Sequence, residues 1–138
     1  MDRVENRFVS HSPEATGDFA EDFATHAEAG DIFLLHGNLG AGKTTFVRGF
    51  LKALGHLGPV RSPTFNLIQT FETTPPVMHA DLYRVSGAEG LGLEEYWDSH
   101  VCLIEWPEKI ADLLPQHYIR VDIQVLGGEK RQLTFTKI

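Results

Sequence analysis

The segment GNLGAGKTTF, residues 37–46, restricts the possible folds of this chain more than any other stretch. It follows the short apolar run IFLLH at 32–36, which predicts a strand buried on both faces. Glycines permit the sharp turn that joins such a strand to a helix. The apolar positions that come next recur with helical spacing at Phe46, Phe50, Leu51 and Leu54. Together these features predict the strand–loop–helix unit of an α/β protein.

The same segment fits the pattern G-x-x-x-x-G-K-[ST] through Gly37, Gly42, Lys43 and Thr44. A loop of this kind presents backbone N–H groups to phosphate oxygens, and the helix that follows adds the positive end of its dipole. Lys43 is expected to reach the β- and γ-phosphates, and the Thr44 hydroxyl to complete a Mg²⁺ shell. The alternative is a glycine-rich connector with an incidental lysine, and the apolar flanks argue against it.

The remaining pattern predicts helices interleaved with strands early in the chain and mostly strands later. Ser12 reads as an N-cap before Pro13, and Gly30 as the stop of that helix. The other expected elements are strands at 7–10, 65–72, 77–81 and 101–106, a short helix at 107–114, and a C-terminal hairpin with its turn at Gly127-Gly128. We therefore predict an α/β fold: one P-loop NTPase-like domain over residues 1–138, with a mixed, mainly parallel sheet flanked by helices and a C-terminal β-hairpin.

Two acidic residues stand at the ends of apolar runs, Asp81 after VMHA and Glu105 after VCLI. P-loop enzymes hold Mg²⁺ through an acid in such a place, and a buried carboxylate needs a cation or donors. A turn aspartate and a solvated strand end are the alternatives. SPTF at 62–65 offers two hydroxyls that could order around a γ-phosphate, although an ordinary loop is equally open. Trp106 is expected to be a packing or partner-facing aromatic.

Composition limits the functions available to the chain. The chain has 138 residues and a net charge of −7. Because an acidic protein repels the phosphate backbone, binding to bare nucleic acid is disfavoured and no DNA partner is expected. The single cysteine fits a reducing compartment. No apolar run reaches membrane-spanning length, and the first residues lack the apolar stretch of a signal peptide. These features predict a soluble, cytoplasmic protein.

Five segments occur in a characteristic order, namely GNLGAGKTTFVRGFL, SPTF, HADLYR, GLGLEEY and IEWPEK. In this order and spacing they closely resemble the bacterial TsaE family, also called YjeE. The resemblance implies a small P-loop ATPase needed for threonylcarbamoyl-adenosine formation in tRNA, acting with the proteins TsaB and TsaD. In that family TsaD carries the transferase chemistry, so tRNA would be reached only through the partners. One departure is Asn38, where many members have aspartate in the loop.

The resemblance also implies ATP and Mg²⁺ as cofactors and a role for several residues. Thr44 and Glu105 would hold Mg²⁺, and Asp81 would help to position or activate the attacking water. Thr64 would belong, with Ser62, to a switch that senses the γ-phosphate. Lys43 would act in catalysis as well as in binding. The implied nucleotide contacts are Ser12, Asn38, Leu39, Gly40, Ala41, Gly42, Lys43, Thr44, Thr45 and Gly128.

Two other functions stay open at this point. A small-molecule or nucleotide kinase needs an acceptor pocket and a basic lid, whereas the 12 Lys and Arg residues of this chain are scattered. A nucleotide-regulated interaction module would bind ATP to order its SPTF loop without meaningful turnover. Measured turnover and its dependence on an acceptor separate the three functions.

Overall fold

The computed structural model describes residues 4–38, 40–60, 67–85 and 92–138. Nine regular elements are numbered in chain order. They are β1 (Val4–Ser10), α1 (Pro13–Ala24), β2 (Ile32–His36), α2 (Lys43–Ala53), β3 (Ile68–Phe71), β4 (Val77–Asp81), β5 (Val101–Glu105), β6 (Ile119–Gly127) and β7 (Lys130–Lys137). Two 3₁₀ segments, Leu93–Tyr96 and Pro107–Leu113, lie on either side of β5 in the sequence.

The seven strands form one sheet in the order β1-β7-β6-β2-β5-β4-β3. The four central strands β6, β2, β5 and β4 are parallel, and antiparallel pairs flank them on both sides. The mixed α/β sheet predicted from the sequence is therefore confirmed. Parallel strands end at the same edge of a sheet, so the last residues of β2, β4 and β5 lie next to each other. In register, Asp81 is opposite Glu105, and Glu105 is opposite Leu35.

Apolar side chains cover the sheet on both faces. One face packs against α1 and α2, where the Phe33 ring on β2 meets the Phe50 ring on α2 at 5.2 Å between centroids. On the other face the central strands pack against residues of the 3₁₀ segments, including Leu93 and Ile110. This arrangement fixes α2, and with it the glycine loop, over the carboxyl ends of the parallel strands.

Helices α1 and α2 touch backbone to backbone at one point. A Cβ built on Gly49 would lie 2.5 Å from the Gly17 carbonyl oxygen and within 2.9 Å of two further Gly17 backbone atoms. A Cβ built on Gly17 meets no atom of the described residues within 4 Å. The two glycines therefore differ, because only Gly49 is required by the close approach.

We expect Gly49→Ala to lower the free energy of unfolding by about 1–3 kcal/mol, since the α1 backbone must move away. Gly17→Ala is the matched control, and it should be neutral or stabilise by about 0.5–1 kcal/mol through its helix propensity. Urea unfolding followed by circular dichroism measures both. Equal stability of the two variants would contradict the close approach of the helices.

Several element boundaries differ from those predicted from the sequence. Helix α1 ends at Ala24 rather than at Gly30, because the chain tightens there: His26 and Ala27 donate to carbonyls three residues back. Gly30, at φ 101°, instead belongs to the turn that leads into β2. The loop of the hairpin is Gly128-Glu129, one residue later than predicted, because Gly127 still pairs with Lys130.

The other predicted segments agree in place and differ in detail. The helix expected at 107–114 is a 3₁₀ segment that is interrupted at Ile110, where φ is −124°. Strand β5 stops at Glu105 rather than at residue 106, and β3 covers 68–71 of the predicted 65–72. Residues 65 and 66 lie outside the described part of the chain. No helix among the described residues is long and apolar enough to cross a membrane.

Candidate functional site

The glycine loop between β2 and α2 adopts a conformation that its glycines make possible. Gly40 and Gly42 have φ values of 81° and 113°, in the left-handed region where a side chain would be strained. A Cβ on either residue would meet no described atom within 4 Å, so the space beside this backbone is open. Gly37 has a different reason to be glycine, since a Cβ there would lie 2.9 Å from the Ile123 carbonyl oxygen of β6.

Lys43 is the first residue of α2, and its side chain is turned into the protein. The residue is only 5% exposed, and its Nζ has no hydrogen-bond partner among the described residues. Nζ lies 3.8 Å from the centroid of the Trp106 ring, a cation–π contact. Burial lowers the pKa of Lys43, although the charges of Glu105 and Asp81 raise it. The site therefore holds a buried ammonium group that no described residue satisfies with a hydrogen bond.

Glu105 ends β5 as a buried carboxylate, with the residue 3% exposed. Its Oε2 lies 2.6 Å from Nε2 of His79, a buried residue on the adjacent strand β4. This hydrogen bond fixes one carboxylate oxygen of Glu105 and leaves the other oxygen for a further ligand. Asp81, the last residue of β4, is the register partner of Glu105 on the adjacent strand β5. Its Oδ1 accepts a hydrogen bond from the backbone N–H of Tyr83 at 3.1 Å. Two acids thus stand side by side where the strands end.

Trp106 terminates β5 in the left-handed conformation, with φ 60°. It is the one non-glycine residue with positive φ in the described part of the chain. Its ring packs against the Tyr83 ring, with 4.8 Å between centroids, and against Lys43 Nζ. The sequence suggested a packing or partner-facing aromatic, and the structure shows packing directly against the lysine of the glycine loop.

These groups enclose a pocket of about 260 Å³ at the carboxyl edge of the sheet. The fold thus brings together residues that are far apart in the sequence. The pocket is lined by Gly40, Gly42, Lys43, Thr44, Thr45, Asp81, Glu105 and Trp106. Leu39, Ser62 and Thr64 lie outside the described residues, so their predicted roles are not tested.

Ser12 and Gly128, the two predicted contacts outside the glycine loop, have other bonds in the structure. Ser12 caps α1, and its Oγ accepts a hydrogen bond from the Ala15 N–H at 3.1 Å. The Gly128 carbonyl accepts from Arg131 Nη1 at 2.6 Å, while Arg131 Nε donates to the Ala41 carbonyl at 2.8 Å. Arg131 therefore ties the hairpin turn to the glycine loop.

Sequence reasoning missed two residues of this neighbourhood. His79 stands in the sequence as the first residue of the segment HADLYR with no role assigned to it, and its bond to Glu105 depends on the register of β4 against β5. Arg131 was not considered at all. A signal for it exists, since Arg131 continues the alternation of the inward-facing residues Leu133 and Phe135, yet it is charged.

The chemistry of the site suits a polyphosphate with a hard cation. The open glycine backbone and the Lys43 ammonium, which makes no hydrogen bond to a described residue, are groups that bind anions. No cluster of three or more His, Cys, Asp or Glu side chains arranged for a metal occurs among the described residues. Mg²⁺ does not need one, because it is commonly bound by one or two protein oxygens together with phosphates and water. Fold and site together define a protein of the P-loop NTPase class.

Comparison with known proteins narrows this class. A family profile described as "Threonylcarbamoyl adenosine biosynthesis protein TsaE" matches residues 10–133. The protein of that name from Bacillus subtilis is 42% identical over 130 residues, covering 92% of this chain and 82% of the relative. The Rickettsia bellii protein of the same name is 40% identical over 141 residues, covering 99% and 98%. The chain belongs to the TsaE family.

A solved structure supports the same conclusion. The crystal structure of YdiB from Bacillus subtilis superposes with a TM-score of 0.85 at 35% sequence identity. The match covers 100% of this chain and 88% of that one. The resemblance found in the short sequence segments is therefore confirmed over the whole described fold.

Proposed function

We propose that this chain is an ATP-binding and slowly hydrolysing accessory protein required for threonylcarbamoyl-adenosine modification of tRNA. The observation that carries the ATP-binding part is the Lys43 ammonium, buried beside open glycine backbone and without a hydrogen-bond partner among the described residues. A group of this kind is satisfied when phosphate oxygens enter the pocket. The tRNA-modification part is supported by the family and by the names of the relatives.

The loop from Gly40 to Thr45 would bind the phosphates through backbone N–H groups and the N-terminus of α2. Asn38, Leu39, Ser12 and Gly128 are proposed as further nucleotide contacts. The neutral Asn38 places no additional negative charge beside the phosphates.

Thr44 and Glu105 are proposed to hold Mg²⁺, since both line the pocket and both offer oxygen ligands. Mg²⁺ bound there would neutralise charge on the phosphate oxygens. His79 supports this role because it fixes one Glu105 oxygen by hydrogen bonding. Lys43 would move from the Trp106 ring to the phosphates and stabilise negative charge that develops during transfer.

Asp81 is proposed to position the attacking water. Its carboxylate lies at the end of β4 beside that of Glu105, and it is less buried than Glu105. A partly solvated carboxylate can accept a hydrogen bond from water without being committed to the metal. Thr64 stays a proposed member of the γ-phosphate switch.

TsaB and TsaD are proposed as the partners, with tRNA contacted only through them. The net charge of −7 supports this division of roles, since an acidic chain repels the phosphates of bare nucleic acid. No membrane partner is proposed.

The deciding experiment is reconstitution with purified TsaB and TsaD. We expect sustained tRNA threonylcarbamoylation over several turnovers only when this chain and ATP are both present, and stimulation of ATP hydrolysis by the partners. Modification that proceeds equally without the chain would contradict the proposal. If ADP formation instead required a small-molecule acceptor that becomes phosphorylated by ATP, the chain would be a kinase.

A further inference from the structure

Arg131 on β7 donates hydrogen bonds to four backbone carbonyls. Its Nε donates to the Ala41 carbonyl at 2.8 Å, and Nη2 to the Gly40 carbonyl at 3.4 Å. Its Nη1 donates to the carbonyls of Gly128 at 2.6 Å and Lys130 at 3.1 Å. A single guanidinium with five N–H donors therefore links the hairpin turn to the glycine loop, across 90 residues of sequence.

The geometry of the hairpin explains how Arg131 reaches the loop. On β7 the side chains of Phe135 and Leu133 face the helices and are buried in the core. Arg131 continues this inward alternation at the place where the core ends and the loop begins. The register of β6 against β7 shifts between Val125 and Gly127, beside Arg131, and such irregularities often redirect a side chain.

We propose that Arg131 is a positioning residue that holds the glycine loop in the conformation that binds phosphates. In a peptide unit the carbonyl and the N–H point in opposite directions. Fixing the Ala41 carbonyl on the Arg131 side therefore directs the Gly42 N–H away from Arg131. Gly42 lines the pocket, whereas Arg131 is not among the described residues that line it. Arg131 therefore contacts the glycine loop from the side that faces away from the pocket.

The charge of Arg131 strengthens this effect. A cationic donor on a carbonyl makes a stronger hydrogen bond than a neutral one and polarises the peptide unit it holds. The Gly42 N–H then becomes a better donor to an anion. This role rests on the proposed function of the loop, although the conformation of the loop can be measured without nucleotide.

The test compares the wild type with Arg131→Ala, Arg131→Lys and Arg7→Ala. Arg7 is the matched control, since it is an exposed β1 arginine whose Nε lies 3.0 Å from Glu5 Oε1, far from the glycine loop in the sequence. The first measurement is hydrogen–deuterium exchange of peptides covering residues 37–46 in nucleotide-free protein. We expect Arg131→Ala to speed exchange in this segment by about 10-fold or more, with exchange of the β2 and β5 core unchanged.

The second measurement is the Kd for ADP by calorimetry. Arg131→Ala is expected to weaken binding by about 10- to 100-fold. Arg131→Lys keeps the charge but loses the fork, and should recover only part of that loss. Arg7→Ala should bind like the wild type.

The outcomes separate this role from the proposed function. Unchanged loop exchange in Arg131→Ala would overturn the positioning role, whatever the affinity for ADP. Full recovery of affinity in Arg131→Lys would overturn it too, because charge alone would then suffice. If the wild type bound no ADP while Arg131→Ala still loosened the loop, the ATP-binding function would fail and the positioning of the loop would stand.

Discussion

Replacing Lys43 with methionine is expected to stabilise the nucleotide-free protein and, at the same time, to weaken nucleotide binding by about 100-fold. The loss of affinity follows from removing the one pocket-lining ammonium of the described residues. The gain in stability follows from burial, since the buried ammonium has no hydrogen-bond partner in the part of the chain that the structure describes. An unsatisfied buried donor destabilises by about 1–3 kcal/mol, and the contact with Trp106 and the charges of Glu105 and Asp81 offset part of this.

The net gain should be about 1 kcal/mol, or a few degrees in Tm, in the absence of nucleotide. Lys52→Met on the same helix is the matched control. The Lys52 side chain is 78% exposed, and its Nζ makes a long ion pair of 3.8 Å with Glu21 Oε1. That variant should change both readouts little. Differential scanning fluorimetry with and without Mg·ATP measures stability and ligand effect together. A lower Tm for nucleotide-free Lys43→Met would show that the ammonium is satisfied in solution.

Opposite effects of one substitution on stability and on binding are typical of residues in a functional site. The protein keeps a buried cation that the fold alone does not require, and a phosphate group would supply the missing hydrogen bonds. The backbone of Trp106 is a second feature that the fold alone does not require, since a non-glycine residue in the left-handed conformation is strained. Both features lie at the pocket.

The central part of the fold could be predicted from the sequence because its signals are local. IFLLH and the glycine loop gave β2 and the start of α2 at the residues where the structure has them. The end of α1 could not be predicted, because it is set by tightened hydrogen bonds after Ala24 and not by the nearest glycine. The turn of the hairpin was displaced by one residue because the pairing of Gly127 depends on register.

The candidate site was predictable wherever a residue type at a fixed spacing carries chemistry. Lys43 and Thr44 belong to one short motif, and Asp81 and Glu105 each end an apolar run. The residues that support this site could not be predicted in the same way. His79 reaches Glu105 only when β4 and β5 are in register. Arg131 reaches the Ala41 carbonyl only because the fold places the start of β7 beside the glycine loop. The sequence shows that Arg131 is a charged residue within the alternation of Leu133 and Phe135, but it does not show which carbonyls the side chain contacts.

Glu105→Gln is expected to reduce Mg²⁺-dependent ATP hydrolysis by about 100-fold or more while the fold is retained. The amide has nearly the size of the carboxylate, and its oxygen can still accept a hydrogen bond from His79 Nε2. It lacks the negative charge with which Glu105 is proposed to hold Mg²⁺. Circular dichroism and Tm verify that the buried substitution is tolerated.

Nucleotide affinity distinguishes loss of a metal ligand from damage to the pocket. In EDTA, Glu105→Gln should bind ATP as well as or better than the wild type, because a negative charge near the phosphates has been removed. With Mg²⁺ present the order should reverse. Glu108→Gln is the control, since that exposed carboxylate lies 3.6 Å from His36 and outside the set of described pocket-lining residues. Equal Mg²⁺-dependent turnover in the wild type and Glu105→Gln would remove Glu105 from the metal site.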